Sequence, residues 1–198
     1  MTPEIDDKNE QLLIIDCGLP KGKTSYFCTL KFYQQYPTYC YSISSCSSTT
    51  TDVEYYPISQ ILSGIYLDNE YDAKNINLLK QNEIKIIINV TSIPCYDENE
   101  QLFDYIRIPC NNKCQENILQ YFEKNFLLIH QKLLFNQNIL IHCQAGISRS
   151  ASFVIGYLMK YNFKSWDQAY SFVKEKRSII KPNFGFLTQL MHYEEIIH

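Results

Sequence analysis

The chain has 198 residues, of which 45% are hydrophobic and 20% are charged, so it is long and apolar enough for one domain with an extension. The net charge of −3 gives no basic surface for nucleic acid, and no apolar run approaches the roughly 18 residues that span a bilayer. We therefore expect neither nucleic acid nor a membrane as a partner.

The cysteines are expected to be free thiols. They include no CxxC pair, and the polar, acidic start MTPEIDDKNEQ is unlike a secretory signal, which predicts a location in the cytoplasm or the nucleus. A zinc site on two of them, Cys110 and Cys114, lacks two further ligands at a suitable spacing, so neither a metal nor another cofactor is expected. The eight cysteines are Cys17, Cys28, Cys40, Cys46, Cys95, Cys110, Cys114 and Cys143.

Residues 1–53 are interpreted as an N-terminal extension. An apolar stretch, LLIID, and an aromatic-rich segment are followed at 42–52 by a Ser/Thr-rich run, SISSCSSTTTD, which is typical of a linker. The segment GLPKGKT at 18–24 is similar to a nucleotide-binding phosphate loop and gives a remote alternative function. That motif needs four residues between its glycines, whereas only three separate Gly18 from Gly22.

From residue 54 to residue 198 the pattern alternates between strands and helices. Apolar, β-branched segments predict strands at 60–67, 84–90, 104–109 and 138–142. Segments with helical periodicity predict helices at 71–82, 115–135, 149–161, 166–177 and 184–197. Strands that alternate with helices of this length predict an α/β fold with a central, mostly parallel sheet flanked by helices.

The segment HCQAGISRS at 142–150 follows the predicted strand NILIH and leads into a predicted helix. A loop in this position directs successive backbone N–H groups into one concavity, and the helix N-terminus adds partial positive charge. Such a loop binds an anion without any basic surface, and Gly146 permits its tight backbone path. The same donors favour the thiolate of Cys143 over its thiol.

Three side chains of this segment predict nucleophilic catalysis on a phosphoester. Cys143 is the candidate nucleophile, Arg149 has the planar fork that holds two phosphate oxygens, and Ser150 can hydrogen-bond the departing thiolate. His142 is expected to orient or pack rather than to act as an acid or base. The residues expected to bind the substrate phosphate are Gln144, Ala145, Gly146, Ile147, Ser148 and Arg149.

The longer segment HCQAGISRSAS resembles the signature loop of the dual-specificity protein phosphatases of the MAP-kinase-phosphatase type, which are cysteine-based protein tyrosine phosphatases. The resemblance covers about residues 55–197, where the other matching segments follow in family order: QILSGIYL, KIIINVTS, YIRIP, GYLMKYN and FVKEKRSIIKPNFGFLTQL. In the N-terminal extension, LLIID and KFYQQYPTYC resemble the end of the rhodanese-like domain that precedes the catalytic domain in that family.

The resemblance implies a catalytic domain at 54–198 that needs no metal and acts through a cysteinyl-phosphate intermediate. It implies phosphorylated proteins as partners, MAP kinases among them, with hydrolysis of phosphotyrosine and of phosphoserine or phosphothreonine. It also implies that residues 1–53 are a remnant of the rhodanese-like domain.

One position departs from the family pattern. The family's general acid is an aspartate three residues after the proline of the IP dipeptide, and here Pro109 is followed by CNNKCQEN, which gives Asn112 at that position. An amide has no proton to donate at neutral pH, and general acid catalysis contributes about 10²–10⁴ in rate. Three interpretations remain open: Glu116 supplies the proton, the enzyme is slow and relies on water, or the chain is a phosphoprotein-binding module with little turnover.

Two cysteines lie in the same predicted loop as Asn112. Cys110 and Cys114 are expected to be ordinary loop thiols. The alternative is that one of them forms a protective disulfide with Cys143 on oxidation.

Overall fold

The computed structural model describes residues 57–93, 102–163 and 165–198. The predictions for residues 1–53, including the linker and the loop at 18–24, lie outside the described residues. The described strands are β1 (Ser59–Leu62), β2 (Ile65–Asp68), β3 (Ile84–Asn89), β4 (Asp104–Arg107) and β5 (Asn138–His142). The described helices are α1 (Ile76–Gln81), α2 (Phe122–Leu134), α3 (Arg149–Tyr161), α4 (Trp166–Lys176) and α5 (Phe184–Ile197).

The five strands form one sheet in the order β1-β2-β5-β3-β4. Only the β1–β2 pair at the edge is antiparallel, and the pairs β2–β5, β5–β3 and β3–β4 are parallel. The predicted fold class, a central and mostly parallel sheet flanked by helices, is confirmed. Since β5 has a strand on either side, the segment that follows it emerges from the middle of the sheet.

Successive side chains of the inner strands enter two different cores, because side chains alternate across a strand. In β5, Ile139 and Ile141 are buried in the larger core, which contains residues of α2, α3, α4 and α5. Leu140 faces the opposite way, into a smaller core with Leu79 of α1. Burial on both faces explains why the inner strands are continuously apolar.

The predicted strand at 60–67 is a hairpin instead, so that prediction is wrong in its count of strands. The segment splits into β1 and β2, which pair antiparallel around Ser63 and Gly64. Gly64 has a φ of +83°, in the left-handed region that favours glycine in tight turns. The Ser-Gly dipeptide was the turn signal in the sequence.

The predicted helix at 71–82 is shorter and interrupted. A 3₁₀ turn at Asp72–Lys74 comes first, and α1 starts only after Asn75, whose side-chain oxygen accepts a hydrogen bond from the backbone N–H of Leu78 at 3.1 Å. Asparagine is a favoured N-cap because its short side chain competes with the helical backbone for hydrogen bonds.

The other helices follow the predicted pattern closely. The segment predicted as helical at 115–135 contains a 3₁₀ turn at Leu119–Tyr121 and then α2, and α3, α4 and α5 match their predicted bounds to within one residue. No helix in the described part of the chain is long and apolar enough to cross a membrane.

The carboxyl ends of the three inner strands meet in one row. Asp68 of β2 and Asn89 of β3 each pair with His142 of β5, and all three residues are buried. The loops that follow these strands therefore leave the sheet side by side. At such an edge, open α/β sheets bind their ligands.

Candidate active site

Cys143 lies at the exit of the central strand. Because β5 ends at His142 and α3 begins at Arg149, residues 143–148 form the entire connection between a buried strand and a 13-residue helix. The connection is short enough to keep the thiol within reach of the helix N-terminus, where backbone N–H groups lack helical partners.

The Cys143 thiol is buried and is hydrogen-bonded by Ser150. The Ser150 hydroxyl donates to Cys143 Sγ across 3.1 Å, and Cys143 is only 2% exposed. Burial by itself raises the pKa of this thiol, but the Ser150 hydroxyl, the backbone N–H groups of Ser150 and Gly146 and the charge of Arg149 outweigh it. The net result is a pKa below the ordinary cysteine value, so the site favours a thiolate.

Arg149 supplies a buried guanidinium with free donor capacity. Its Nη1 donates to the backbone oxygen of Cys110 at 3.3 Å, which ties the start of α3 to the loop after β4. Its Nε is buried and has no hydrogen-bond partner among the described residues. An unpaired buried donor is costly, and a phosphate oxygen is the kind of acceptor that removes the cost.

Gly146 lets the loop pass close to β2. It has a φ of +66°, and a Cβ atom at this position would lie 2.6 Å from the carbonyl carbon of Asp68. No other residue fits there without displacing backbone. The predicted phosphate-binding residues on either side of Gly146 differ in exposure: Gln144 and Ala145 are exposed, and Ile147 is half-buried.

Asn112, which the family pattern places at the general-acid position, lies against the connection at 143–148, called the phosphate loop from here on. Its Oδ1 accepts hydrogen bonds from Ser148 Oγ at 2.8 Å and from Asn183 Nδ2 at 3.1 Å. Ser148 precedes α3 but makes no side-chain capping bond to it, and its hydroxyl instead accepts from the backbone N–H of Asn183 at 3.1 Å. Ser148 and Asn183 thus join the loop after β4, the phosphate loop and the start of α5.

This network also determines which end of the Asn112 amide faces the loop. The backbone N–H of Phe186 donates to Asn183 Oδ1 at 2.9 Å, so the other end of the Asn183 amide, its NH₂ group, is the donor to Asn112. The Asn112 atom that receives this bond must be the oxygen. Ser148 and Asn183 therefore both hold the carbonyl end of Asn112, and its NH₂ group is the end left for other partners.

Glu116, the candidate substitute acid, is engaged elsewhere. Its Oε2 accepts from Asn111 Nδ2 at 3.0 Å and its Oε1 accepts from the Tyr121 hydroxyl at 3.3 Å. Both oxygens thus already have hydrogen-bond partners outside the segment 143–148. The Tyr121 hydroxyl shares its one proton with Pro109 O, which is nearer, at 2.9 Å.

His142 is buried beneath the loop and carries no charge at neutral pH. Burial lowers its pKa to about 4, and the nearby charges of Lys74 and Arg149 also disfavour protonation. Its Nδ1 lies 3.4 Å from the backbone oxygen of Cys143. These features fit the expected packing role. The pKa of His142 is too low for an acid–base catalyst that works near neutral pH.

The cysteines of the loop after β4 differ from Cys143 in their chemistry. Cys114 is exposed, whereas Cys110 is buried, and burial together with the charge of Glu116 raises the Cys110 pKa to about 12. All three described cysteines are free thiols in this structure. The alternative, in which one of these loop cysteines forms a disulfide with Cys143 on oxidation, is not tested by this structure.

Two further residues of the site were missed in the sequence. Arg177 and Asp68 form a buried ion pair, with Nη2 and Oδ1 separated by 3.0 Å, directly behind Gly146. Burial raises the pKa of Asp68 to about 7, and the charge of Arg177 and the backbone N–H of Asn69 oppose that rise. The sequence signal was weak, because the two residues are 109 positions apart.

Comparison with protein families identifies the class that this fold and site define. Residues 65–196 match the dual specificity phosphatase catalytic domain. The chain therefore belongs to the dual-specificity phosphatases of the cysteine-based protein tyrosine phosphatase superfamily.

Particular relatives agree with this assignment. The chain is 36% identical to human dual specificity protein phosphatase 16 over 172 residues, which are 84% of this chain and 26% of that protein. It is 31% identical to tyrosine-protein phosphatase vhp-1 of Caenorhabditis elegans over 206 residues, which are 98% of this chain and 29% of that protein. The chain thus spans less than a third of the length of these relatives.

A solved structure shares the fold. The human tyrosine phosphatase-like serine/threonine/tyrosine-interacting protein superimposes with a TM-score of 0.67 at 33% identity, covering 71% of this chain and 97% of that chain.

Proposed function

We propose that this chain is a protein phosphatase that hydrolyses phosphotyrosine and phosphoserine or phosphothreonine through a cysteinyl-phosphate intermediate. The observation that carries the proposal is the 3.1 Å hydrogen bond from Ser150 to Cys143, on a thiol whose pKa is lowered. A site that only bound phosphate would not need a stabilised thiolate. Family membership supports the same reaction.

In the proposed first step, Cys143 Sγ attacks phosphorus, and the S–P bond forms as the bond from phosphorus to the substrate oxygen breaks. The backbone N–H groups of the loop from Gln144 to Ser148 and the Arg149 guanidinium stabilise the charge on the three other phosphate oxygens. In the second step, water attacks phosphorus and the S–P bond breaks. Ser150 then donates its hydrogen bond to the departing thiolate.

The leaving oxygen is the weak point of the proposed reaction. Asn112 has no acidic proton, and both carboxylate oxygens of Glu116 accept hydrogen bonds from Asn111 and Tyr121. We propose that water protonates the leaving oxygen, which makes the enzyme slow. The loss is smaller for a tyrosine phenoxide, whose conjugate acid has a pKa of about 10, than for a more basic serine or threonine alkoxide.

A phosphoprotein-binding module with little turnover is the second candidate function. It is favoured by Asn112, whose amide can donate a hydrogen bond but cannot transfer the proton to a leaving group. A structural relative described as a phosphatase-like interacting protein also favours it. Under either function the proposed partners are phosphorylated proteins, with MAP kinases as the first class to test.

A turnover assay distinguishes the two functions. Phosphate release is measured from an aryl phosphate and from a phosphothreonine peptide, with the wild type beside Cys143→Ser. Release by the wild type that is lost in the variant supports the enzyme. Phosphopeptide binding by both proteins, with no release by either, supports the binding module instead.

A further inference from the structure

The phosphate loop is held from its outer side. For backbone N–H groups to converge on an anion, the carbonyl groups between them must point away from it, and each needs a donor behind it. Three loop carbonyls have such donors: Gln144 O accepts from Glu70 N at 3.2 Å, Gly146 O from Arg177 Nε at 3.1 Å and Ile147 O from Lys181 N at 2.8 Å. The donor to Gly146 is the only side chain and the only charged group among the three.

Arg177 is fully engaged by the protein. It is 2% exposed, and it lies at the C-terminal end of α4, whereas its partners belong to β1 and the residues just before it, to β2 and to the phosphate loop. Besides Gly146, its partners are Pro57 O at 3.2 Å and Ser59 Oγ at 3.1 Å from Nη1, and Asp68 Oδ1 at 3.0 Å from Nη2. Its planar fork thereby fixes the distance between the loop and the first two strands.

We propose that Arg177 is a positioning residue for the phosphate loop. It holds the Gly146 carbonyl away from Cys143 so that the neighbouring N–H groups face the thiolate and the substrate phosphate. Asp68 fixes the position of the Arg177 guanidinium. All four hydrogen bonds of the Arg177 side chain go to protein groups, so it acts through the loop. The inference rests on the proposed function, since it assigns a role within the same anion site.

Two substitutions separate the geometry of this pair from its charge. Arg177→Lys keeps the positive charge but loses the fork, so a single ammonium replaces several directed donors. Asp68→Asn removes the ionisable carboxyl but keeps the acceptor, because Arg177 Nη2 and both donors of Asn69 all reach the same oxygen, Oδ1, at 3.0, 2.7 and 2.9 Å. Ser59→Ala is the matched control, since it removes one Arg177 contact without touching the loop.

The readout is the rate at which iodoacetamide alkylates Cys143, followed by peptide mass spectrometry as a function of pH. In Arg177→Lys the rate at about pH 6 is expected to fall about tenfold, because a loop that no longer directs its N–H groups at Cys143 leaves less of the thiol ionised. The inhibition constant for vanadate should rise in the same variant. Ser59→Ala should match the wild type, and Asp68→Asn should react at about the wild-type rate, because the oxygen that accepts from Arg177 is kept.

Wild-type alkylation in Arg177→Lys overturns the proposal, and so does a tenfold loss in Asp68→Asn. If circular dichroism shows that Arg177→Lys does not fold, Asp68→Asn keeps the proposal falsifiable, since slow alkylation in that variant contradicts positioning by geometry. Thiol alkylation needs no turnover. A protein that alkylates rapidly but releases no phosphate therefore contradicts the proposed function while leaving the role of Arg177 supported.

Discussion

At the scale of single residues, the loop after β4 determines how the site treats the leaving group. Asn112 presents its carbonyl oxygen to Ser148 and Asn183, and these two donors would also reach an aspartate at the same position. Donors to a carboxylate oxygen favour the ionised form. An introduced acid would therefore have a low pKa, and its benefit would be greatest in mildly acidic solution.

Asn112→Asp should raise kcat for a phosphothreonine peptide about tenfold or more at about pH 5, because it restores a proton donor with almost no change in volume. The gain should be smaller for an aryl phosphate with a good leaving group. The pH–rate profile should acquire a falling limb on its alkaline side as the new carboxyl ionises. Steady-state kinetics with both substrates measure these effects.

Glu116→Gln is the matched test of the rival acid in the natural background. A large loss of kcat in Glu116→Gln would mean that Glu116 already donates the proton. If Asn112→Asp changes neither substrate and Glu116→Gln is harmless, the assignment of position 112 to the leaving group is wrong.

Arg149→Lys should remain folded but lose about 10²–10³-fold in kcat, since an ammonium does not reproduce the two-pronged contact with phosphate. Thermal unfolding by circular dichroism, run beside the kinetics, separates loss of activity from loss of structure. Near-normal kcat in a folded Arg149→Lys protein would contradict the proposed role of this guanidinium.

At the scale of elements, the helices were predicted more accurately than the strands at the edge. The predicted bounds of α4 and α5 hold because each places apolar side chains in the larger core, and α3 is buried from Arg149 to Met159. The hairpin at 60–67 resembles one strand because apolar residues continue from Ile61 and Leu62 in β1 to Ile65 in β2, and the Ser-Gly turn between them is the local sign of the division. Asn75 is likewise a residue that favours the N-cap position, but the spacing of apolar residues alone does not show that a helix starts after it.

The contact between α2 and α3 depends on a glycine. A Cβ atom at Gly156 would lie 2.6 Å from Cε2 and 2.7 Å from Cζ of the buried Phe122 ring. Gly156→Ala should therefore lower the free energy of unfolding by about 1–3 kcal/mol through overpacking, measured by urea denaturation. The kcat of the folded fraction should be unchanged, because Gly156 lies about two turns along α3 from Arg149, the end of the helix that adjoins the site.

Leu127→Ala on the exposed side of α2 is the control for Gly156→Ala. Leu127 is 55% exposed, so its truncation should change the free energy of unfolding by less than about 0.5 kcal/mol. If both substitutions changed the free energy of unfolding equally, the close contact between Gly156 and Phe122 would not be the cause of the destabilisation.

At the scale of the whole molecule, the sheet brings together residues that are far apart in the chain. The motif at 142–150 was recognisable because its parts are contiguous, and the structure brings Cys143 and Ser150 together as expected. Arg177 and Asp68 were not predicted, since their contact with Gly146 arises only when β2, β5 and the end of α4 have assembled. The local sequence pattern is enough to predict helices, strands and contiguous loops. Contacts that distant elements make with a loop can be seen only in the assembled fold.

The buried His142 should make stability depend on pH. Its pKa is about 4 in the folded protein and about 6.5 when unfolded, so its favourable contribution is complete above pH 6.5 and is lost as pH falls toward 4. Relative to His142→Gln, the wild type should lose up to about 3 kcal/mol of unfolding free energy over that range. Urea denaturation at several pH values measures the difference, and a parallel pH dependence of the two proteins would contradict a neutral, buried His142.

The central claim is that phosphate passes through a covalent bond to Cys143. The most direct measurement is rapid-quench trapping of the phosphoenzyme with a radiolabelled aryl phosphate, followed by peptide mapping. We expect the label on the peptide that contains Cys143. The label should be more abundant in Ser150→Ala, where departure of the thiolate is slowed, and absent in Cys143→Ser. Turnover that persists in Cys143→Ser, or label on a peptide carrying Cys110 or Cys114 instead, would contradict the account.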